Sequence, residues 1–128
     1  MTEWDAETLL CSMFERDGAT IRRQVPLGGR RLDVAARFTA PGGEWVSVEV
    51  KLRDWRRAVS QASINRAFFA QSFIAVPAEM AGPVDEAYLR TRGVGLIKFD
   101  ADRWWVGVDA EVTTLSSPMA SSIDEKLA

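Results

Sequence analysis

Hydrophobic and polar positions alternate most cleanly over residues 46–52. Val46, Val48, Val50 and Leu52 fall on one side, and Ser47, Glu49 and Lys51 on the other. Successive side chains of a strand point to opposite faces, so one face is wholly aliphatic. The β-branched content reads as a central strand. A carboxylate and an ammonium two residues apart on such a strand are costly unless paired, metal-bound or facing a cleft. The same alternation over residues 31–39 puts Leu32, Val34, Ala36 and Phe38 on one face, and Arg31, Asp33, Ala35 and Arg37 on the other. Between the two segments, Ala40-Pro41-Gly42-Gly43 predicts a turn, so the pair reads as an antiparallel hairpin.

The register of that hairpin follows from its faces. A slip of one residue would set an aliphatic face against a polar one, so paired residue numbers must sum to an even value. Centring the hairpin on Pro41 gives a sum of 82, with Val34 facing Val48, Ala36 facing Val46, Leu32 facing Val50 and Asp33 facing Glu49. The next allowed register, 84, sets Asp33 opposite Lys51. Either way Asp33, Glu49 and Lys51 share one face, and directly opposed Cβ atoms lie about 4.5–5.5 Å apart. Two carboxylates brought that close repel unless a cation sits between them. A cross-strand Asp33–Lys51 ion pair with Glu49 solvated is the structural alternative.

The remaining pattern supplies the other elements. Helical spacing of Leu9, Leu10, Met13 and Phe14 predicts a helix over residues 3–16, capped by Thr2 and ended at Asp17-Gly18. A strand follows over 20–27 and a turn at Gly28-Gly29. Asp54 is expected to cap a helix over 55–67, the crossover to a strand over 72–76. A helix over 83–92 with Pro83 near its first position, a strand over 93–99, a turn over 100–103 and a strand over 104–108 complete the ordered part. Trp104 and Trp105 are expected to pack against the sheet or cover its edge. The Ser-rich residues 110–128 read as a weakly ordered tail with at most a short helix over 123–127, leaving one domain over 1–109.

Composition narrows the chemistry. At 128 residues, 47% apolar and 27% charged, the chain is an ordinary one-domain globular protein. The acidic opening MTEWDAETLL does not read as a signal or transit peptide, and no apolar run approaches a membrane span. A cytoplasmic location is the default expectation. The single cysteine, Cys11, excludes an internal disulfide, and there is no histidine. Ser-His and Cys-His nucleophiles, histidine zinc sites and histidine-based nucleases are therefore excluded, as are a cysteine zinc cluster and a GxxxxGK[ST] phosphate loop. Any catalysis must run on carboxylates and lysine, with or without a metal. The net charge of −2 does not mark the whole surface for nucleic acid. Arg22-Arg23, Arg30-Arg31 and the group Arg53, Arg56 and Arg57 are locally basic, however, and their place beside the candidate site suits phosphate.

The order helix, three-strand meander, helix, strand, with Asp33 on the second strand and Glu49-Val50-Lys51 sixteen residues later, resembles the PD-(D/E)XK nuclease superfamily. In pattern it is similar to small Holliday-junction-resolvase-like and uncharacterised prokaryotic members. The resemblance covers residues 5–77, with 93–99 matching a further strand. It implies a restriction-endonuclease-like α/β (α+β) fold, an αβββαβ core whose mixed sheet is flanked by helices, followed by a C-terminal helix and β-hairpin. Asp33 matches the first acidic motif, although Leu32 stands where proline is usual. Glu49 and Lys51 match (D/E)XK, and the Val50 carbonyl occupies the position that commonly joins the metal shell. Glu7 is similar to a first-helix glutamate of the resolvase branch, and Gln61 to a glutamine on the helix after the motif.

The resemblance implies Mg²⁺ or Mn²⁺ held by Asp33, Glu49 and Val50, with Lys51 acting on water or phosphate and Glu7 and Gln61 in supporting roles. Arg31, Arg53, Arg56 and Arg57 are the expected DNA contacts. RNA is also compatible, as is a homodimer. The implied activity is metal-dependent phosphodiester hydrolysis in DNA, structure-selective or weakly sequence-specific. Two other readings stay open: an inactive nucleic-acid-binding or protein-interaction module on the same fold, and a structural protein with an unrelated α/β fold.

Overall fold

The computed structural model describes residues 1–38 and 43–128. The turn expected at Ala40-Pro41-Gly42-Gly43 therefore lies, apart from Gly43, outside the described residues. The elements are α1 (Glu3–Arg16), β1 (Thr20–Leu27), β2 (Arg30–Arg37), β3 (Val46–Val50), α2 (Trp55–Asn65), β4 (Gln71–Pro77), α3 (Glu86–Arg92), β5 (Gly95–Phe99), β6 (Trp104–Val108) and α4 (Ser117–Leu127), with a 3-10 turn at Ala78–Met80. The six strands form one mixed sheet in sequence order. β1, β2 and β3 are antiparallel, β3, β4 and β5 parallel, and β6 returns antiparallel. This is the expected α+β architecture. Among the described residues no helix is long and apolar enough to cross a membrane.

Strand alternation sorts the core into two layers. Val48 and Val50 of β3, Ala75 of β4 and Ile97 of β5 pack against Ala6, Leu10, Met13 and Phe14 of α1. The intervening Ile74, Val76 and Leu96 pack against Ala58, Val59 and Ala62 of α2 and Leu89 of α3. α1 thus covers one face, and the two crossover helices cover the other. Its start is set by a capping box: Thr2 Oγ1 accepts from the Asp5 amide at 3.0 Å, and Asp5 Oδ2 accepts from the Thr2 amide at 3.1 Å. Trp104 closes the end of that layer, stacked edge-on against Phe14, with its indole N–H donating to Asp17 at 2.7 Å.

The β2–β3 register is the one summing to 82: Val34 opposes Val48, Ala35 opposes Ser47 and Ala36 opposes Val46. The pairing stops at Val34, so the expected Leu32–Val50 pair does not form. Leu32 instead packs with Val25, Ala35 and Phe69 on the α2 face. The alternation breaks because Gln24 of β1, which lies across from Asp33, has φ +52°. That left-handed conformation interrupts the ladder between Arg23–Val34 and Val25–Leu32.

Three helix ends differ from the sequence reading. Asp54 does not cap α2 with its side chain. It sits in the left-handed region at φ +48°, and its backbone carbonyl accepts from the Arg57 and Ala58 amides instead. α3 begins at Glu86 rather than near Pro83, because Asp85 supplies a true cap, accepting from the Tyr88 amide at 3.2 Å. Residues 117–127, read as tail, form α4. Ser116 caps it, accepting from the Met119 amide. Met119, Ile123 and Leu127 fall at four-residue spacing and pack on Val25, Leu32, Trp45 and Phe69. The Leu127 carbonyl also accepts from Arg22 Nε at 2.8 Å. This helix extends the core past residue 109, where the sequence reading ended the domain.

Ile123→Ala should therefore destabilise the whole protein by about 2 kcal/mol through lost burial. The melting temperature should fall by several degrees in one transition. An unchanged Tm would mean that α4 lies outside the cooperative unit.

Candidate active site

Where β2 parts from β3, a side chain replaces the missing backbone partner. The Val50 amide donates to Asp33 Oδ2 at 2.9 Å. This bond draws the Asp33 carboxylate into the gap between the strands. Glu49, one residue earlier on β3, is 1% exposed. Its Oε2 accepts from Nδ2 of Asn65, a wholly buried residue at the end of α2, at 3.0 Å. Asn65 Oδ1 in turn accepts from Arg30, whose guanidinium also reaches the Gln61 carbonyl at 3.3 Å. The chain Arg30–Asn65–Glu49 fixes the amide orientation and aims the glutamate.

Burial pushes the Asp33 carboxyl up, partly offset by the Val50 amide and Lys51. Burial raises Glu49 further, to about 7; the charge of Asp33 adds to the rise, and Asn65 and Arg30 oppose it. The two carboxylates thus occupy a site that disfavours their joint ionisation. Among the described residues neither forms an ion pair with a lysine or arginine. The alternative reading, a cross-strand Asp33–Lys51 ion pair with Glu49 solvated, is not what the described residues form. Lys51 Nζ lies 3.7 Å from Glu3 Oε1 in the first turn of α1, and Glu3 Oε2 accepts from the Leu52 amide at 3.4 Å.

Glu7 is also buried on α1, and its oxygens are taken. Oε2 accepts from Arg23 Nε at 2.7 Å, and Oε1 from Gln24 Nε2 at 2.9 Å. Burial raises its pKa while Arg23 and Gln24 pull it back, and the charge of Asp33 is felt there too. Gln24 also favours ionised Asp33 by hydrogen bonding. A non-glycine residue at φ +52° is strained, and it stands between buried Glu7 and half-buried Asp33.

The structure thus gathers Asp33, Glu49, Val50, Lys51 and Glu7 of the expected set. Gln61 is not brought to the carboxylates. Its Oε1 is buried without a partner, and Asn65, one helical turn further on, makes the contact with Glu49. Arg31, Arg53, Arg56 and Arg57 are exposed, and Arg56 stacks over Trp55 and Tyr88 at 4.6 and 5.1 Å. Arg53 borders a cavity of about 380 Å³ that opens beside Lys51, lined also by Leu52, Trp55, Met80 and Val84. Asn65, Gln24 and the inward role of Arg30 escape the sequence reading. Asn65 was accessible in principle, four residues after Gln61 and so on the same helix face. No residue pattern announces a left-handed glutamine.

Asp33 and Glu49 fit a hard divalent cation by donor chemistry: both are oxygen ligands, Glu49 is buried and Asp33 half-buried, and each lacks a cationic side-chain partner. Among the described residues no three His, Cys, Asp or Glu side chains form a ready-made cage. Backbone, water or substrate oxygens would have to complete the shell.

The sequence matches no protein-family model and no curated protein. The fold does have counterparts among solved structures. It is similar to the SPO1766 protein of unknown function from Silicibacter pomeroyi, at TM-score 0.72 and 21% identity over 95% of this chain and 80% of that one. It is similar to a repair endonuclease from Pyrococcus abyssi at TM-score 0.57 and 19% identity, over 79% of this chain and 48% of the other. EndoMS in complex with dsDNA gives TM-score 0.54 and 16% identity, over 80% and 47%. The chain spans about half the length of these two, and the likeness is one of fold.

The raised pKa of Glu49 has a testable sign. Between its ordinary value of 4.5 and about 7 the folded chain holds a proton that the unfolded chain has released. Stability therefore falls as pH rises through that window, and the loss is complete above it. In metal-free buffer Glu49→Gln should stabilise the protein by about 2–3 kcal/mol at pH 8 and by clearly less at pH 5. Equal gains at both pH values, read by thermal melts, would contradict the assignment.

Proposed function

We propose that the chain is a divalent-metal-dependent nuclease of the PD-(D/E)XK type that hydrolyses phosphodiester bonds in DNA. The observation that carries this reading is the pairing of half-buried Asp33 with buried Glu49 beside Lys51, at the point where β2 and β3 separate. The fold, shared with repair endonucleases, supports it.

Asp33, Glu49 and the Val50 carbonyl would hold Mg²⁺ or Mn²⁺. When bound, the cation neutralises charge on the scissile phosphate and lowers the pKa of a coordinated water. The chain's own groups do the rest. Asn65, braced by Arg30, keeps Glu49 turned into the site. The Val50 amide does the same for Asp33. Lys51 donates to the attacking water or to a phosphate oxygen and stabilises the charge that builds up there. Its contact with Glu3 is long and Glu3 is half exposed, so little is lost when the ammonium turns to substrate. Arg31, Arg53, Arg56 and Arg57 bind backbone phosphates and give affinity without sequence preference. Glu7 stays outside the metal shell, since Arg23 and Gln24 hold its oxygens.

Incubation with plasmid, linear duplex, single-stranded and branched DNA in Mg²⁺ and in Mn²⁺ should give cleavage that chelator abolishes. Glu49→Ala and Lys51→Ala should each reduce it by about 100-fold or more. Cleavage retained in both variants would overturn the reading.

A further inference from the structure

We infer that Trp4 is a base-stacking platform at the rim of this site, and that the chain acts on DNA strands with unpaired bases. The inference rests on the nuclease reading and specifies its substrate class.

Trp4 is 56% exposed, and the other large hydrophobic side chains left exposed, Met1, Ile64, Val106 and Val112, are all aliphatic. Among the described residues it is the one exposed aromatic side chain, a large amphipathic ring open to a partner. Its position is built. The Arg23 guanidinium carbon lies 3.9 Å from the ring centroid. Arg23 is itself held by Glu7 at 2.7 Å and by Thr8 Oγ1 at 3.0 Å. The ring therefore rests on a cation whose own place is fixed by α1, while much of the indole remains open.

Its neighbours tie it to the carboxylate pair. Glu3, the preceding residue, lies against Lys51 and the Leu52 amide. Glu7, three residues on and so on the same helix face, bonds Gln24, which lies across the β1–β2 ladder from Asp33. Trp4 thus shares the first turn of α1 with Glu3, the residue in contact with Lys51. In a duplex the base faces are hidden in the stack. In an unpaired strand they are free, and every base offers a π-face, so the contact is sequence-tolerant.

The test is binding in chelator, by fluorescence anisotropy of labelled oligonucleotides, with wild type, Trp4→Ala and Trp4→Phe. Wild type should bind a single-stranded oligonucleotide more tightly than a blunt duplex of the same length. Trp4→Ala should weaken single-strand binding about tenfold and leave duplex binding unchanged, while Trp4→Phe keeps most of the affinity. Replacing bases by abasic residues should weaken wild type to the level of Trp4→Ala and cost Trp4→Ala nothing further. The inference is overturned if wild type shows no single-strand preference, if Trp4→Ala binds like wild type, or if the abasic strand loses equally with both proteins. None of these readouts needs cleavage. Stacking without cleavage in any metal would remove only the nuclease reading, and Glu49-dependent cleavage with Trp4-independent binding would remove only the stacking.

Discussion

Asp33 supplies the acceptor for a strand amide, and the site depends on that substitution. Were β2 to continue its ladder on β3 past Val34, backbone would fill the gap between the strands. Instead the Val50 N–H is satisfied by a carboxylate, as a buried amide must be satisfied by something. One hydrogen bond thus lets the strands diverge, brings an anion into the opening and sets it near Glu49. The rest of the fold works around this point: α1 roofs one side with Glu3 and Glu7, and α2 closes the other with Asn65.

The opening has a cost, visible in the groups that surround it. Glu49 is pushed to about 7 and Asp33 is raised as well. Gln24 holds an unfavourable backbone conformation. A chain selected for stability alone would fill this place with aliphatic side chains, as it does one residue away at Val48 and Val50. Strain and charge desolvation concentrated where β2 and β3 separate are the physical mark of a candidate site.

The parts that were legible in the sequence are those governed by local periodicity. The alternation of Val34, Ala36, Val46 and Val48 dictated the hairpin register, and Leu10, Met13 and Phe14 dictated the buried side of α1. Leu32 defied the same rule because the conformation of Gln24 across the ladder reverses its face, and a left-handed glutamine leaves no trace in composition. Asp54 and Asp85 look alike as helix starters; only backbone geometry separates the left-handed residue from the true cap. α4 was legible in part: Met119, Ile123 and Leu127 form a clear stripe, but a surrounding run of serines masked it. Asp33, Glu49 and Lys51 stood out because charge on an apolar strand is improbable. Asn65 did not, because a lone amide on a helix is ordinary until its partner is seen.

The balance of charge bears on how the site could be filled. Glu7 is neutralised by Arg23 at 2.7 Å, so this buried carboxylate is spent inside the protein. Arg30 is directed at Asn65 and the Gln61 carbonyl rather than at an acid. Lys51 leans toward an exposed glutamate. What is left is a pair, Asp33 and Glu49, with no cationic side chain bonded to either. A divalent cation matches that pair in charge, and oxygen donors match it in hardness. A second cation would have to draw Glu7 away from a guanidinium and an amide, breaking two short hydrogen bonds in a buried setting where each is costly to leave unmade. The same arginine that withholds Glu7 from a metal also supports the Trp4 ring. One side chain thereby settles the acid balance of the interior and props an aromatic surface at its edge.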